Sequence, residues 1–575
     1  MYPGVHASAD PDKPAVLADR TGEVLTYGQL EERSVRLANR LHAAGLRPGD
    51  HLALLSDNDP RCLEVYWAAL RSGLYLTAVN SHLTPDEAAY IVRDCGARAL
   101  VVSAALAELA TALVPRTPQI AVRLAYGSRG GPPQEQPWGS DRRNGADHRQ
   151  DRSQDQNRGR GQDRSQGQDQ NRGRGRGGGN ECAGERSGLA EHGDYEQALA
   201  NASPRPPAHQ PRGADMLYSS GTTGRPKGIQ PPLPGDDLTT SASPLVTLFT
   251  ALYGFDTSTV YLSPAPLYHA APLRFCAVVT ATGGTVVLMD GFEPVRALEL
   301  LERHEVTHSQ WVPTMFVRML KLPEEVRTRY GRPSLRVAVH AAAPCPAEVK
   351  RRMMEWWGPV LYEYYASTEG NGLTAITPQE WLRKPGSVGR SGPLGEVRVC
   401  ADDGTEVPAG VTGTVYFARD ELPFTYHNDP GRTAEAQHPR HPTWTTTGDI
   451  GHVDEDGYLF LTDRKAFTII SGGVNIYPQE IEDCLTLHPK VADVAVLGVP
   501  DAEMGESVHA VVQAAADSAP APGAELEREL LAYVREHLAG YKVPRTVEFT
   551  DRLPRTPTGK LAKGVLKHRG AAAGQ

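Results

Sequence analysis

Cysteine is scarce in this chain, with seven residues among 575, and no two of them form a Cys-x-x-Cys pair. Zinc ribbons require closely spaced pairs, and disulfide-stapled secreted domains are dense in cysteine. Both scaffolds are therefore excluded. The scattered thiols fit a reducing compartment, so we expect a cytoplasmic location and a structural role for all seven cysteines.

Long apolar runs are also missing. The most apolar stretch, 275–289, is interrupted by three threonines and two glycines and is shorter than the roughly 20 residues that a bilayer-spanning helix needs. Asp10, Asp12 and Lys13 stand where a signal peptide would need an uninterrupted apolar segment. We expect neither a membrane span nor a secretion signal.

An excess of positive charge is absent as well. The formal net charge is -9, which gives no general reason to expect nucleic acid as a partner. The length and the 40% share of hydrophobic residues exclude a small binding module or a lone helix bundle. Two or more packed units are therefore expected.

The segment 127–188 has a different composition from the rest. A run of Gln, Asp, Arg, Ser, Asn and Gly at 150–161 is repeated at 162–175, and no large apolar side chain occurs between Ser140 and Gly179. Ordering the backbone costs about 1–2 kcal/mol per residue, and nothing here offsets it. We predict a disordered low-complexity insert. RNA binding through its Arg-Gly end is a weaker alternative, because aspartates offset most arginines and no aromatic residue interleaves them.

On either side of this insert, short apolar runs alternate with helical patterns. Thr26 and Gln29 have the spacing of a capping box, and the helix that they begin should stop at Gly45. Strands are predicted at 51–55, 99–103, 260–262, 285–289 and 335–340. This alternation predicts an α/β fold, with mostly parallel sheets covered by helices.

A smaller unit follows Asp463. Pro478 marks the first turn of a helix, strands are predicted at 491–499 and 507–515, and a helix at 525–538 carries apolar residues four apart. We predict a large N-terminal α/β domain at 1–463, which contains the insert, and a smaller mobile α+β domain at 464–575.

The densest chemical signal is M-L-Y-S-S-G-T-T-G-R-P-K-G-I at 216–229. Its glycines allow backbone amides to approach an anion, while its hydroxyls and its lysine add donors and charge. The register is not that of a Walker A loop, and an ordinary polar loop is the alternative. We interpret the segment as a polyphosphate cradle, with these candidate residues: Ser219, Ser220, Gly221, Thr222, Thr223, Gly224 and Lys227.

This loop resembles the signature of the adenylate-forming superfamily of acyl-CoA synthetases, adenylation domains and luciferases. Later segments resemble the family's further motifs in the same order: Y-A-S-T-E-G at 365–370, T-G-D at 447–449, D-R at 463–464, S-G-G-V-N-I-Y-P at 471–478 and P-R-T-P-T-G-K-L at 554–561. The similarity covers essentially the whole chain except the insert.

The resemblance implies that a carboxylate attacks the α-phosphate of ATP, pyrophosphate leaves, and a thiol then displaces AMP. ATP, Mg²⁺ and coenzyme A are the implied cofactors. The cradle would hold the β- and γ-phosphates, Thr368 the α-phosphate and Glu369 the Mg²⁺ ion, while Asp449 and Arg464 would bind the ribose. Lys560 would bridge carboxylate and phosphate when the small domain is docked.

The remaining roles also follow from the resemblance. Adenine would lie between two sets of residues, namely Ala342, Ala343 and Pro344 on one side and Tyr364 and Tyr365 on the other. His269 resembles a gate beside the acyl channel, with a packing histidine as the alternative. The pantetheine arm would pass three residues, Gly472, Gly473 and Asn475, although Gly-Gly is equally what a simple hairpin needs.

We therefore expect an ATP-dependent acid:CoA ligase acting on a small-molecule carboxylic acid, with a fatty acid favoured over an aryl acid. A stand-alone adenylation enzyme that loads a carrier protein is the alternative. A nucleic-acid-binding protein with a degenerate enzyme body is disfavoured, because Lys227, Glu369, Asp449, Arg464 and Lys560 are all present.

Overall fold

The computed structural model describes residues 1–127, 189–219, 226–464, 467–472, 474–501, 503–516, 518–555, 561–563 and 565–566. The predicted insert lies outside these residues except for Gly127. Also outside the described residues are the centre of the predicted cradle (220–225), Gly473 and Lys560.

The helices are α1 Pro3–Ala9, α2 Tyr27–Ala43, α3 Arg61–Leu70, α4 Pro85–Asp94, α5 Ala107–Leu113, α6 Tyr195–Ala200, α7 Pro244–Tyr253, α8 Ala270–Thr282, α9 Pro294–Arg303, α10 Pro313–Leu320, α11 Glu324–Arg329, α12 Ala347–Trp357, α13 Pro378–Arg383, α14 Pro430–Glu435, α15 Pro478–Thr486 and α16 Ala524–His537. The strands are β1 Pro14–Ala18, β2 Val24–Thr26, β3 His51–Leu55, β4 Tyr75–Val79, β5 Ala97–Ser103, β6 Val122–Tyr126, β7 Gly193–Asp194, β8 Ala214–Asp215, β9 Leu217–Ser219, β10 Lys227–Gln230, β11 Val260–Ser263, β12 Thr285–Leu288, β13 His308–Trp311, β14 Val337–His340, β15 Leu361–Ala366, β16 Leu373–Ile376, β17 Arg390–Ser391, β18 Glu396–Cys400, β19 Gly413–Ala418, β20 Thr425–Tyr426, β21 Asp449–Val453, β22 Leu459–Arg464, β23 Ile469–Ser471, β24 Val474–Ile476, β25 Val491–Asp501, β26 Gly505–Ala514 and β27 Thr546–Phe549.

Two large sheets form the body of the molecule. One has nine strands in the order β17-β16-β15-β14-β13-β11-β12-β1-β2, and the other has six in the order β7-β6-β5-β3-β4-β8. The strands of the six-stranded sheet are parallel throughout, as are those from β1 to β15 in the larger one. The predicted α/β class is therefore confirmed.

Helices α3 and α8 belong to the main core between these sheets. Nearly every residue of both helices is buried, as expected for helices that are apolar on all sides. Helix α2 begins as predicted, because Thr26 and Gln29 form both hydrogen bonds of a capping box. Strand β14 begins at Val337, later than expected, because the Leu335 amide closes a turn onto the Arg332 carbonyl.

Two smaller sheets lie nearer the chemistry-bearing motifs. One contains β20, β10 and β9, and the other contains β18, β19, β21 and β22. In the second sheet β21 and β22 pair in antiparallel register, which places Asp449 opposite Arg464. The backbone pairing alone therefore brings Asp449 and Arg464 next to each other.

The C-terminal part has its own sheet, in the order β24-β23-β26-β25 with β27 beside β26, and its own core. Helix α16 contributes Leu526, Leu530 and Val534 to that core, as the spacing predicted. This α+β unit touches the larger one: the Lys321 ammonium donates to the Val491 carbonyl at 2.5 Å. The boundary at 463/464 stays a prediction.

Within the described ranges, no helix combines the length and the apolar character that crossing a bilayer requires.

Candidate active site

The carboxyl ends of β14 and β15 carry two of the predicted motifs. These strands are parallel neighbours, so the segments that follow them leave the same edge of the sheet, which is where ligands bind in open α/β sheets. Ala342, just beyond β14, has φ of 77°, a left-handed conformation that costs a non-glycine residue about 1–3 kcal/mol. This backbone strain lies where Ala342, Ala343 and Pro344 were predicted to meet adenine.

Tyr364 and Tyr365 lie on opposite faces of β15, as successive strand residues must. The Tyr364 ring packs in the core, with its centroid 6.1 Å from that of Phe275. The Tyr365 ring stacks at 5.9 Å on Phe417, on the other side. The structure therefore does not bring the two tyrosines together, and only Tyr365 faces the Asp449 cluster.

Asp449 is the buried centre of a hydrogen-bonded cluster. The Tyr365 hydroxyl and the Thr447 hydroxyl each donate to its Oδ2 at 2.7 Å, and Arg464 Nε donates to its Oδ1 at 3.0 Å. The Asp449 carboxylate raises the pKa of Arg464, although burial opposes the shift. Asp449 and Arg464 were predicted to act together, and the structure places them in contact. Thr447 was not among the predicted site residues.

A second cluster joins the predicted cradle to Glu369. Lys227 lies on β10 opposite Ser219 of β9, and its ammonium stands 5.3 Å from the centre of the Tyr426 ring. The Tyr426 hydroxyl donates to Glu369 Oε1 at 3.0 Å. Burial lowers the pKa of Lys227, and the nearby Arg432 adds to this effect. Sequence reasoning missed Tyr426, because an isolated tyrosine in a two-residue strand carries no pattern.

One short segment links the two clusters. Tyr365 ends in the Asp449 cluster, while Glu369, four residues later, ends beside Tyr426 and Lys227. Thr368 lies between them, half-buried. The arrangement places a carboxylate with a guanidinium at one end of the segment and an ammonium at the other, which suits a ligand with hydroxyls at one end and phosphates at the other.

His269 is the residue that precedes α8. Its ring packs against that of Tyr268 with centroids 4.5 Å apart and the ring planes tilted by 50°, and the side chain is half-buried. This contact accords with the packing alternative and leaves a gating role as a prediction.

Gly472 and Asn475 belong to a hairpin of the C-terminal sheet. Strands β23 and β24 pair from Ile469 with Ile476 to Ser471 with Val474, so Gly472 lies where the chain turns between them. Gly472 has φ of 56°, and a Cβ there would lie 2.5 Å from Met504 Cε. Among the described residues, neither Gly472 nor Asn475 hydrogen-bonds to the Asp449 cluster. The turn explains the glycine at 472 without a ligand.

Part of the predicted site lies outside the described residues, namely Ser220, Gly221, Thr222, Thr223, Gly224, Gly473 and Lys560. Within the described part, no group of three or more His, Cys, Asp or Glu side chains could hold a metal ion. Glu369 therefore belongs to no such group among the described residues.

Two family models match the chain. One, described as "AMP-binding enzyme", covers residues 5–426, and the other, described as "AMP-binding enzyme C-terminal domain", covers residues 480–560. The chain is 33% identical to a feruloyl-CoA synthase of Amycolatopsis sp over 95% of its own length and 94% of that protein. It is 29% identical to the fatty acid–[acyl-carrier-protein] ligase ScoC of Streptomyces coeruleorubidus, over 98% and 95% respectively.

The fold is also similar to solved structures. The ATP-bound crystal structure of MatB from Rhodopseudomonas palustris superimposes with a TM-score of 0.74 at 26% identity, covering 99% of each chain.

Proposed function

This chain belongs to the AMP-binding enzymes, the family of adenylate-forming acid:CoA ligases, and we propose which of its residues carry each part of the reaction. The resemblance that the sequence motifs indicated is confirmed. Enzymes of this family use ATP and coenzyme A to convert a carboxylic acid into a thioester.

The reaction needs positioning and charge neutralisation rather than a protein nucleophile. A carboxylate oxygen attacks the α-phosphorus of ATP and the bond to pyrophosphate breaks. The thiolate of the acceptor then attacks the acyl carbon, and AMP leaves with the electrons of the broken C–O bond. The protein therefore has to hold the acid in line with the α-phosphate and pyrophosphate in the first step, and to bring the thiol to the acyl carbon in the second.

The observation that carries the assignment is the segment 365–369. It touches Asp449 through Tyr365 and meets Lys227 through Glu369 and Tyr426, so one loop joins both predicted ends of the nucleotide site. We assign the ribose hydroxyls to Asp449, with Arg464 holding that carboxylate. Lys227 and the cradle that precedes it would bind the β- and γ-phosphates, and Thr368 the α-phosphate.

Mg²⁺ fits this site as a nucleotide-bound ion. Magnesium in such sites takes one or two carboxylates and completes its shell with phosphates and water. Glu369 supplies one carboxylate whose Oε2 is not engaged by Tyr426. When bound, the ion would neutralise charge on the phosphates, while Tyr426 orients the Glu369 carboxylate.

The thiol acceptor is proposed to be coenzyme A, approaching along Gly472, Gly473 and Asn475. A carrier protein is the second candidate, because one relative is named as a ligase of an acyl carrier protein. The class of acid has two candidates. The name of ScoC favours a fatty acid, as the motifs suggested, and the name of the more similar feruloyl-CoA synthase favours an aryl acid.

A pyrophosphate-release assay tests this proposal. Aliphatic and aryl acids are supplied with ATP and Mg²⁺, with coenzyme A, with a phosphopantetheinylated carrier protein, or with neither thiol. We expect turnover with at least one acid that increases when coenzyme A is added, and no turnover by Asp449→Ala. If only the carrier protein increases turnover, the thiol acceptor is a carrier protein rather than coenzyme A. If no acid releases pyrophosphate, both candidates are wrong.

A further inference from the structure

Lys321 of the large domain holds the small domain at the end of a strand. It is an exposed residue that directly follows α10 and belongs to none of the motifs. Its ammonium donates to the Val491 carbonyl at 2.5 Å, and the Asp493 carboxylate is close enough to act on its charge. Val491 begins β25 and is completely buried in the core of the small domain. The ammonium therefore contacts a core strand rather than a loop.

Asp493, two residues along β25, binds the start of the lysine motif. Arg555 Nε and Nη2 donate to the two oxygens of the Asp493 carboxylate, each at 2.5 Å, and such bidentate charged pairs fix geometry as well as adding energy. Arg555 also forms an antiparallel bridge with Leu561. The two ends of the segment 555–561, which carries Lys560, are therefore brought together beside β25.

Apolar contacts on the same face of β25 support this segment further along. Ala495 and Leu497 follow Asp493 at intervals of two, so the three side chains share one face of the strand. Ala495 and Leu497 are buried in a cluster against which Leu561 packs. One face of β25 is therefore a platform for the lysine motif, and Lys321 holds the first residue of that strand.

The arrangement of the two domains bears on which half-reaction this contact serves. The thiol was proposed to approach along the hairpin 469–476, yet no hydrogen bond joins the described residues of this hairpin to the Asp449 cluster. This pose therefore suits the first half-reaction, in which a lysine of the small domain meets the acid and the α-phosphate, better than thiol transfer. We call it the docked pose.

We propose that Lys321 is a positioning residue for adenylate formation. By holding Val491 it favours the docked pose, in which the β25 platform presents the lysine motif to the large domain. A contact that is made in one pose and broken in the other shifts the balance between the two poses. This inference rests on the proposed function and assigns to the same reaction a residue that lies outside every motif.

Lys321→Met keeps the length of the side chain and removes the donor. Pyrophosphate exchange with ATP and an accepted acid measures the first half-reaction, and thioester formation from a supplied acyl-adenylate measures the second. We expect kcat for exchange to fall at least about threefold, with KM for ATP within about twofold of wild type, because fewer molecules occupy the docked pose. Thioester formation should not fall. Lys321→Arg, which can still donate to the carbonyl, should restore most of the exchange.

Lys490→Met is the matched control. Lys490 directly precedes Val491, but its ammonium pairs with Glu529 at 2.7 Å inside the small domain. Its loss should leave the ratio of the two half-reactions unchanged. Thermal unfolding reports whether each variant folds, and Lys321→Ala replaces Lys321→Met if the exposed methionine lowers Tm.

The inference is overturned if the Lys321 variant lowers both half-reactions equally, lowers only thioester formation, or alters neither. It is also overturned if Lys490→Met changes the ratio of the two half-reactions as much. Failure of the proposed function looks different, because the wild type would then show no exchange with any acid.

Discussion

Tyr426 contacts two of the proposed site residues, Glu369 and Lys227. Its hydroxyl donates to Glu369 Oε1 at 3.0 Å, while its ring lies under the Lys227 ammonium at 5.3 Å. Burial and the Glu369 carboxylate raise the pKa of the phenol, so it remains a hydrogen-bond donor at neutral pH. We interpret Tyr426 as a positioning residue for both charged groups.

Tyr426→Phe keeps the ring beneath Lys227 and removes only the hydrogen bond to Glu369. A hydrogen bond to a charged group contributes about 1.5 kcal/mol at the lower end of its range, and about 1.4 kcal/mol corresponds to a tenfold change. We expect kcat/KM for ATP to fall roughly tenfold and the Mg²⁺ concentration that gives half-maximal rate to rise. Steady-state kinetics at several Mg²⁺ concentrations measures both.

Tyr218→Phe is the matched control. Tyr218 lies in the same small sheet and also donates to a carboxylate, Asp94 Oδ2 at 2.6 Å, away from Glu369. Its loss should change stability but not the Mg²⁺ dependence. An equal Mg²⁺ effect in both variants would contradict the role given to Tyr426.

At the scale of elements, α15 connects the small domain to the large one. Its Gln479 amide donates to Asp463 Oδ2 at 3.3 Å, and Leu487, just after the helix, packs against a core cluster of the large domain. Asp483 of this helix accepts from Gln479 Nε2 at 2.7 Å, and it lies close enough to act on the Cys345 thiol of the large domain. A titratable group therefore lies where the two domains meet.

Burial raises the pKa of Asp483 from 3.8 to about 7, with Glu482 and Asp463 adding to the rise and Gln479 and Lys563 opposing it. A raised pKa means that the folded state holds the proton more tightly, so stability falls as pH rises from about 4 to about 7. Asp483→Asn has no carboxyl group to ionise, so it removes this fall in stability. We expect the variant to gain stability relative to wild type across this window and no further above it, as measured by denaturant unfolding at pH 4.5, 6 and 8.

Asp501→Asn serves as the control with the opposite sign. Backbone amides of Met504 and Glu503 lower the pKa of Asp501. The stability that the ionised Asp501 carboxylate adds to the folded state is therefore fully present above about pH 4. The difference from wild type should then stay constant between pH 6 and 8. A constant difference for Asp483→Asn over pH 4.5–8 would show that its pKa is not raised.

At the scale of the whole molecule, Lys560 should divide the two half-reactions. Its motif belongs to the small domain, and a lysine there can bridge carboxylate and phosphate only in the docked pose. We expect Lys560→Ala to abolish adenylate formation from free acid and to spare thioester formation from a supplied acyl-adenylate. Pyrophosphate exchange and thioester release measure the two steps separately.

Lys563→Ala is the comparison, since Lys563 is buried in a 2.7 Å ion pair with Glu482 inside the small domain. Its loss should weaken both half-reactions through folding. If Lys560→Ala also lost both together, the assignment would be wrong.

The segment 128–188 connects two strands that are parallel neighbours. Strands β6 and β7 pair through Leu124 with Gly193 and Ala125 with Asp194, and such neighbours need a crossover of a dozen or more residues. Deleting 139–179 leaves 128–138 and 180–188 to make it. Because each halving of a loop alters closure free energy by only about 0.6 kcal/mol, we expect kcat/KM within about threefold of wild type and a nearly unchanged Tm.

Deleting 128–188 in full is the control. It leaves too few residues for a crossover, so it should lower Tm sharply. A large drop in kcat/KM or Tm on deleting 139–179 would show that the repeats contribute to folding or turnover.

The sequence alone determined the features that local patterns encode. The capping box at Thr26, the apolar spacing of α16 and the alternation of strands and helices each reflect backbone preferences or burial within one segment, so the α/β body and the C-terminal α+β unit were predictable. The ordered motifs indicated the family for the same reason. Each motif is one uninterrupted run of residues, so its residue types and their order can be read without knowing the fold.

Only the tertiary structure decided which distant residues meet. Tyr426 reaches Glu369 across 57 positions, and Arg274 reaches Asp215 across 59, and no local pattern predicts either contact. Tyr364 and Tyr365 are an instructive case, since strand alternation could have placed them on opposite faces, but which face meets Asp449 depends on how the sheets pack. Contacts of this kind depend on the packing of whole elements, which short sequence patterns do not specify.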